Sequence, residues 1–269
     1  MATRDEKVDI PVDGQAIAGT LITPVKAMPG VLFVHGWGGS QQSYLARARE
    51  IAEMGCVCMT FDLRGHARTD EQRQTVSRQD NLEDLLAAYD LLASHPRVDP
   101  AYLGVVGSSY GGYLAAIMTT MRPVRWLALR APALYEDHGW ELPKVQLTEK
   151  MDLTAYRRRL VSAEENRALR ACAAFRGDVL IVESERDDVV PHTVIANYVA
   201  ACIQARSVTS RLIEGAEHGL SEKRWQREYG LILAKWLTEM LAKVDGARPE
   251  KPLQVSPEQK YQPLSLQLK

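Results

Sequence analysis

Three kinds of side chain that together perform acyl transfer stand in separate stretches of this sequence. A serine, Ser109, lies at the centre of Gly107-Ser-Ser-Tyr-Gly111. Carboxylates follow in Glu185-Arg-Asp-Asp188, and His218 lies within Glu214-Gly-Ala-Glu-His-Gly219. A serine hydroxyl becomes a nucleophile when a histidine takes its proton and a carboxylate orients that histidine. These residue types predict nucleophilic catalysis at Ser109 and leave open which carboxylate takes part.

The residues around Ser109 predict a sharp turn from a strand into a helix. Residues 103–106 form a short apolar run typical of a buried strand, and apolar residues of 113–117 recur at helical spacing. The glycines two residues to either side of Ser109 would let the strand and the helix approach closely. The helix would then direct its free N–H groups and its dipole at the serine. Such a turn also occurs without any chemistry, so the motif alone leaves a structural role open.

The rest of the chain alternates between strands and helices. Residues 7–12 and 15–23 predict an antiparallel hairpin, because Asp13-Gly14 between them is a strong turn signal. Further strands are predicted at 30–34, 54–61, 103–106, 125–129, 178–183 and 208–213, and helices after residue 45 and at 80–94, 193–203 and 223–243. This alternation predicts an α/β fold, a mostly parallel sheet with helices on both faces. The serine, the carboxylates and the histidine each follow a strand, so they would share one rim of the sheet.

Two segments fall outside this alternation. Residues 135–175 lie between two core strands and predict a small inserted cap, and we expect Trp140, Met151 and Tyr156 of this cap to line a pocket for the acyl group. Prolines recur in 246–269, which has little apolar content and cannot form its own core. We therefore expect one main domain over 1–245, which includes the cap, and a C-terminal tail over 246–269 that packs on this domain or on a neighbouring subunit.

Composition excludes several classes of protein. The chain has 269 residues, 46% of them hydrophobic, and a net charge of −1, which predict one main domain with no footprint for nucleic acid or an anionic membrane. No run of eighteen apolar residues and no signal peptide occurs, so we expect a cytoplasmic protein. The four cysteines are scattered and should be reduced. Cys56-Val-Cys58 lacks a second ligand pair, so no metal site is expected.

The motifs resemble, in order, those of α/β-hydrolase-fold serine hydrolases, a group that includes cinnamoyl esterases, prolyl oligopeptidases and serine aminopeptidases. The resemblance spans about residues 7–243. Besides the serine turn, it rests on His35-Gly-Trp-Gly-Gly39, Asp62-Leu-Arg-Gly-His66, Asp187-Asp-Val-Val-Pro191 and Glu217-His-Gly219. The order serine, acid, histidine is the order of that fold.

The resemblance implies a role for each matched residue. Ser109 would be the nucleophile, His218 the base and Asp187 the acid, with Asp188 as the alternative acid. The backbone N–H groups of Trp37 and Tyr110 would form the oxyanion hole. The family often has glycine where this chain has Ser184 and Ala67, and neither of these is a catalytic position.

Other polar residues near these motifs are predicted to be structural. His35 should hold the oxyanion loop, and Asp62 and Arg64 should tie loops at the rim through a salt bridge. We expect surface or capping roles for four other histidines, which are His66, His95, His138 and His192. Tyr156-Arg-Arg-Arg159 is typical of a solvated helix face and is also able to attract an acidic substrate.

The resemblance implies hydrolysis of a small carboxylic ester through an acyl-enzyme, with no cofactor. A peptidase or amidase is the alternative within this chemistry, and a non-catalytic ligand-binding member of the fold is the alternative outside it. The expected partners are a small ester or peptide substrate, and a second copy of the chain through the tail or the cap.

Overall fold

The computed structural model of the chain describes residues 3–24, 28–147 and 151–245. An eight-stranded sheet runs through these ranges in the order β1-β2-β4-β3-β5-β6-β7-β8. Its strands are β1 (Thr3–Val12), β2 (Gln15–Pro24), β3 (Met28–Val34), β4 (Val57–Phe61), β5 (Val98–Ser108), β6 (Trp126–Arg130), β7 (Asp178–Ser184) and β8 (Ser207–Ile213). The α-helices of the described part are α1 (Leu45–Glu53), α2 (Arg78–Ala93), α3 (Tyr110–Met118), α4 (Leu153–Arg157), α5 (Arg167–Ala174), α6 (His192–Ala201) and α7 (Lys223–Asp245).

The predicted hairpin forms one edge of this sheet. β1 and β2 pair antiparallel, and the turn between them has Asp13 at φ 48° and Gly14 at φ 73°. Both angles are left-handed, which Asp and Gly tolerate better than other residues. β2 pairs antiparallel with β4, and from β4 to β8 every neighbouring pair is parallel. The carboxyl ends of these parallel strands therefore lie along one rim.

Each face of the sheet has its own hydrophobic core. The side chains of α2, α3, α5 and α6 pack on one face, and those of α1 and α7 pack on the other. β4 and β6 are buried at every residue, as expected for parallel strands that are covered on both sides. The mostly parallel, helix-covered sheet predicted from the alternation is confirmed.

Two boundaries differ from the prediction for local reasons. The strand predicted at 54–61 begins only at Val57, because Met54 and Gly55 close α1 and Gly55 has φ 98°, a conformation that favours glycine. β5 begins at Val98, five residues before the predicted start, since its first residues continue the pairing with β3 at Met28.

The insertion predicted at 135–175 lies within the connection from β6 to β7, which includes α4 and α5. The tail at 246–269, where we expected packing on the domain or on a neighbour, lies outside the described residues. All four cysteines are buried and free. Among the described helices, none is both long and apolar enough to cross a membrane.

Candidate active site

Ser109 occupies the turn between β5 and α3 in a strained backbone conformation. Its φ of 52° and ψ of −117° lie in a region that L-residues rarely adopt. Its N–H donates to the carbonyl of Arg130 at 2.9 Å, and its carbonyl accepts from the N–H groups of Tyr113 and Ala133, both at 3.0 Å. Hydrogen bonds from two neighbouring elements thus hold a conformation that would otherwise relax.

The glycines around Ser109 are required by close backbone contacts. A Cβ on Gly107 would lie 2.6 Å from the carbonyl oxygen of Gly111, and a Cβ on Gly111 would lie 2.4 Å from the carbonyl oxygen of His35. Such distances are too short for any side chain. The first distance confirms the predicted close approach of strand and helix, and the second shows that the loop after β3 is packed against the same turn.

The structure brings the three predicted side chains into one hydrogen-bonded line. His218 Nε2 lies 3.0 Å from Ser109 Oγ, and His218 Nδ1 lies 2.6 Å from Asp187 Oδ2. Because an ionised carboxylate only accepts, Nδ1 carries the proton and Nε2 is left to accept from the serine hydroxyl. The Asp187 side chain is 2% exposed and the His218 side chain 21%, so only the histidine and the serine face solvent.

The second oxygen of Asp187 fixes the carboxylate in place. Its Oδ1 accepts from the N–H groups of Val189 and Val190 at 2.9 and 2.7 Å. Asp188, the alternative acid, is exposed. Of the carboxylates that the sequence left open, Glu185 accepts from the N–H of Gly215 at 2.6 Å and so ties the acid loop to the histidine loop. Asp187 is the carboxylate that meets His218.

Two histidines shape the loop that carries Trp37. The N–H of Leu63 donates to His35 Nε2 at 3.0 Å, and His35 Nδ1–H donates to the carbonyl of Gly36 at 2.8 Å. The N–H of Gly38 donates to His66 Nε2 at 3.0 Å. Burial lowers the pKa of His35 to about 4 and also lowers the pKa of His66, so both rings stay neutral and keep an accepting nitrogen.

The same loop lies directly beside the serine. A Cβ on Gly36 would lie 3.2 Å from Ser109 Cβ. Within the described part of the chain, no protein acceptor meets the N–H of Trp37. Tyr110 is the first residue of α3, so its N–H has no acceptor within the helix. Next to the serine turn, Trp37 and Tyr110 thus each offer an N–H group that meets no acceptor among the described residues, and their role as an oxyanion hole stays a prediction.

Arg130 anchors the loop that carries His218. It is the last residue of β6 and is 7% exposed. Its guanidinium donates from Nη2 to the carbonyl of His218 and to Ser184 Oγ. Ser184 stands where the family often has glycine, and its hydroxyl oxygen is one of these two acceptors. The histidine loop is therefore anchored to the central strands and not only to its own neighbours.

The three residues predicted to line an acyl pocket are buried at 6–8% exposure in the same core as Tyr110. Trp140 donates from Nε1 to Gln79 and lies against the ring of Tyr113 at 6.4 Å. Tyr156 accepts at its hydroxyl from Asn166 at 3.1 Å. Trp140 is linked to the serine turn through the ring of Tyr113, whereas Met151 packs towards Gly139.

The polar residues around the rim differ in part from expectation. Arg64 forms a structural salt bridge, but with Asp84 at 2.5 Å, while Asp62 accepts from the backbone and side chain of Gln41. The expectation of a surface role for His66 is wrong, because the residue is only 2% exposed. His66 does occupy the N-cap position of the 3-10 helix Ala67–Gln74, but its side chain makes no capping hydrogen bond.

The remaining expectations fall on exposed residues. His138 and His192 are exposed, as predicted. Arg158 and Arg159 are solvated, but Arg157 donates to the carbonyl groups of Leu134 and Val189.

Lys144 and Arg78 carry no motif in the sequence and were not predicted to lie near the site. Arg78 is 0% exposed and donates to the carbonyl groups of Glu136 and His138, which pins the inserted segment to α2. A fully buried basic side chain is rare and would have marked Arg78, but its burial can be recognised only once the fold is known. These residues meet the site through contacts between distant parts of the chain.

The site and the fold together define a hydrolase of the α/β fold. The chain belongs to the prolyl oligopeptidase family, since the sequence profile of that family matches residues 42–244. An uncharacterized protein of Mycobacterium tuberculosis is 26% identical over 213 residues, which cover 78% of this chain and 70% of that protein.

Solved structures share the architecture at low sequence identity. Est1E from Butyrivibrio proteoclasticus, solved with ferulic acid bound, has a TM-score of 0.66 and 18% identity and covers 87% of this chain and 99% of its own. The acylaminoacyl peptidase of Pyrococcus horikoshii has a TM-score of 0.67 and 15% identity over 88% of this chain but only 42% of its own. These likenesses establish the α/β-hydrolase fold predicted from the motifs.

Proposed function

We propose that the chain is a serine hydrolase that cleaves a small carboxylic ester through an acyl-enzyme. The observation that carries the proposal is the continuous line from Asp187 through His218 to Ser109, with contacts of 2.6 and 3.0 Å. A binding protein of this fold has no need for all three groups at such distances. The strained turn at Ser109 gives independent support, since strain of this kind is kept where it presents a reactive group.

In the proposed mechanism His218 acts first as base and then as acid. Nε2 takes the proton of Ser109 while Oγ attacks the ester carbonyl, and Asp187 supports the imidazolium that forms. The protonated histidine then gives its proton to the leaving alkoxide, which departs as the alcohol and leaves Ser109 acylated. A water molecule, deprotonated in turn by His218, attacks the acyl-enzyme. The bond to Ser109 Oγ then breaks, Oγ takes the proton from His218, and the carboxylic acid is released from the regenerated enzyme.

The developing oxyanion would be held by the N–H groups of Trp37 and Tyr110. Each such donor is worth on the order of 3 kcal/mol in the transition state. Tyr110 is also the first residue of α3, so the helix dipole would strengthen the attraction between its N–H group and the oxyanion. The loop at Trp37 would therefore contribute as much to the rate as the base does. His35 and His66, which hold this loop in place, would affect the rate through it.

A peptidase or amidase remains the second candidate, supported by membership of the prolyl oligopeptidase family. The same acyl-enzyme chemistry serves both substrates, because the two differ only in the leaving group. The chain matches 42% of the length of the acylaminoacyl peptidase, so the rest of that protein has no counterpart in the match. We favour the ester because no acidic pair that could hold a peptide amino group was found in the sequence.

Labelling with a fluorophosphonate probe tests the proposed function. We expect the wild type to be labelled at Ser109, as located by peptide mass spectrometry, and Ser109→Ala to remain unlabelled with an unchanged circular dichroism spectrum. p-Nitrophenyl esters of increasing chain length and aminoacyl and dipeptidyl nitroanilides would then separate esterase from peptidase. A wild type that is neither labelled nor active on any of these substrates would refute the assignment.

A further inference from the structure

Lys144 places a buried ammonium group beside the proposed oxyanion hole. It begins the short 3-10 helix Lys144–Gln146 of the inserted segment and is 6% exposed. Its backbone N–H donates to the carbonyl of Val76 at 2.8 Å, which fixes its position. The amine lies 4.9 Å from the ring centre of Trp37 and 5.3 Å from that of Tyr110. These are the two residues whose N–H groups flank Ser109.

The surroundings of this ammonium are aromatic and offer it no negative charge. A third ring, that of Tyr135, lies 4.8 Å away, and the hydroxyl of Tyr110 is already donated to Asn81. Among the described residues, no carboxylate and no hydrogen-bond acceptor meets the amine. Each contact with an aromatic face contributes about 0.5–2 kcal/mol, but a ring supplies neither a full negative charge nor the hydrogen-bond acceptors that a carboxylate supplies. The ammonium is thus left able to bind a carboxylate.

Two further cations lie close to the rings that surround Lys144. The guanidinium of Arg73 lies 5.4 Å from the ring centre of Trp37, and that of Arg157 lies 5.0 Å from the ring centre of Tyr135. Arg157 donates to backbone carbonyl groups, which do not cancel its charge. The nearby carboxylates have partners of their own, since Glu136 pairs with His138, Asp137 with Arg167 and Asp187 with His218. The cations around these rings therefore favour an anionic ligand there.

We infer that Lys144 binds a carboxylate of the substrate, so that the preferred substrates are esters that carry a carboxylate on the acyl or the alcohol part. This inference rests on the proposed serine hydrolase and adds the substrate class to it. The carboxylate would accept hydrogen bonds from the ammonium while the rest of the substrate lies against the rings of Trp37 and Tyr135. The sequence suggested Arg157–Arg159 as the cluster that could attract an acidic substrate, but Arg158 and Arg159 are solvated. Arg78 is buried as well, but it donates to two backbone carbonyl groups, so Lys144 is the buried cation beside Trp37 and Tyr110 that carries the inference.

Pairs of esters that differ only in charge test the inference. Mono-p-nitrophenyl adipate and its methyl ester place the charge on the acyl part, and 4-acetoxybenzoate and its methyl ester place it on the leaving group. The readout is the ratio of kcat/KM for the anionic and the neutral member of each pair. We expect the wild type to favour the anion in at least one pair, and Lys144→Met to lower that ratio roughly 10- to 100-fold, mainly through KM.

Two further variants act as controls. Lys235→Met removes the same charge from an exposed position of α7 and should leave both ratios as in the wild type. Glu149 lies outside the described residues, so Glu149→Gln tests whether the charge of Lys144 is neutralised within the chain. A clear rise in the ratio in Glu149→Gln would show that Glu149 neutralises Lys144 in the wild type and would overturn the inference, whereas an unchanged ratio supports it.

The outcomes separate this inference from the proposed function. A wild type that hydrolyses both members of each pair without preference, or a folded Lys144→Met that keeps the wild-type ratio, overturns the inference alone. A wild type that hydrolyses none of the esters and is not labelled at Ser109 refutes the proposed function and the inference with it. If circular dichroism shows that Lys144→Met does not fold, the kcat/KM ratio of the wild type tests the inference instead. A lysine that has no role in substrate recognition predicts no preference of the wild type for the anionic ester.

Discussion

Replacing Asp187 with asparagine tests the proposed orientation of His218 with little change in shape. Oδ1 of Asp187 accepts two backbone N–H groups, at 2.9 and 2.7 Å, and Oδ2 faces His218 Nδ1 at 2.6 Å. In Asp187→Asn the amide oxygen must take the position of Oδ1, because an NH2 group there would face two donors. The NH2 group then points at Nδ1, which becomes an acceptor. Nε2 consequently carries the proton and can no longer accept that of Ser109.

The expected loss follows from the wrong tautomer and not from lost packing. In a serine hydrolase with this arrangement such a change lowers kcat about 10⁴-fold, which corresponds to about 5 kcal/mol in the transition state. We expect a loss of about 10³- to 10⁴-fold in kcat for p-nitrophenyl acetate, with a much smaller change in KM. The free energy of unfolding should change by about 1 kcal/mol or less, since the two hydrogen bonds to Oδ1 are kept.

Asp188→Asn is the matched control, because it makes the same substitution at the next residue, which is exposed. We expect its kcat to stay within about twofold of the wild type, as for most exposed substitutions away from a site. Both variants should be measured beside urea unfolding curves, so that a loss of folded protein is not counted as a loss of rate. Equal losses in the two variants, or a larger loss in Asp188→Asn, would refute the assignment of Asp187.

Two further predictions concern the histidines behind the Trp37 loop. His66→Ala removes the acceptor of the Gly38 N–H, so kcat should fall about 10- to 100-fold with little change in KM. The control His192→Ala, at an exposed position, should leave kcat unchanged. A rise in KM with an unchanged kcat in His66→Ala would contradict a positioning role. The pKa of His35 is about 4 when folded and 6.5 when unfolded, so its contribution to stability is complete above pH 6.5 and is lost as the pH falls towards 4. Because burial also raises the pKa of Asp84 to about 6, which has the opposite effect over the same range, the comparison is with His35→Gln. Urea unfolding should show that the wild type loses about 2–3 kcal/mol more than His35→Gln between pH 7.5 and pH 4.5, and identical losses would show that His35 becomes charged without cost.

The catalytic order and the strands were predictable because both are local in the sequence. An apolar run followed by Gly-x-Ser-x-Gly predicts the turn at Ser109, and glycine is required on both sides of the serine because a Cβ there would collide with neighbouring backbone. Asp13-Gly14 predicts the hairpin for an equally local reason, the left-handed angles of its turn. A parallel sheet then places every strand end on one rim, so the positions of Asp187 and His218 follow from their loops without any knowledge of side-chain contacts.

Residues that meet the site from elsewhere in the chain could not be predicted in this way. Lys144 is followed by alternating apolar and polar residues, and nothing in this stretch distinguishes it from a surface lysine. Only the packing of the inserted segment against Trp37 and Tyr110 buries it. His66 reads as a loop residue, and its role depends on Gly38, which is 28 residues away. Neither contact leaves a periodic or compositional trace, because each depends on how two loops pack together.

Chemistry and recognition are carried by different parts of this fold, but the parts are linked. The groups proposed for catalysis stand at the ends of β3, β5, β7 and β8, whereas Tyr135 and Lys144 belong to the segment inserted between β6 and β7. Arg157 of that segment donates to the carbonyl of Val189, two residues beyond Asp187. A substitution in the segment can therefore disturb the acid loop as well as the bound substrate. A disturbed acid loop lowers the rates of a neutral and an anionic ester alike, while lost recognition lowers only one of them, so the ratio between the two substrates is what distinguishes these effects.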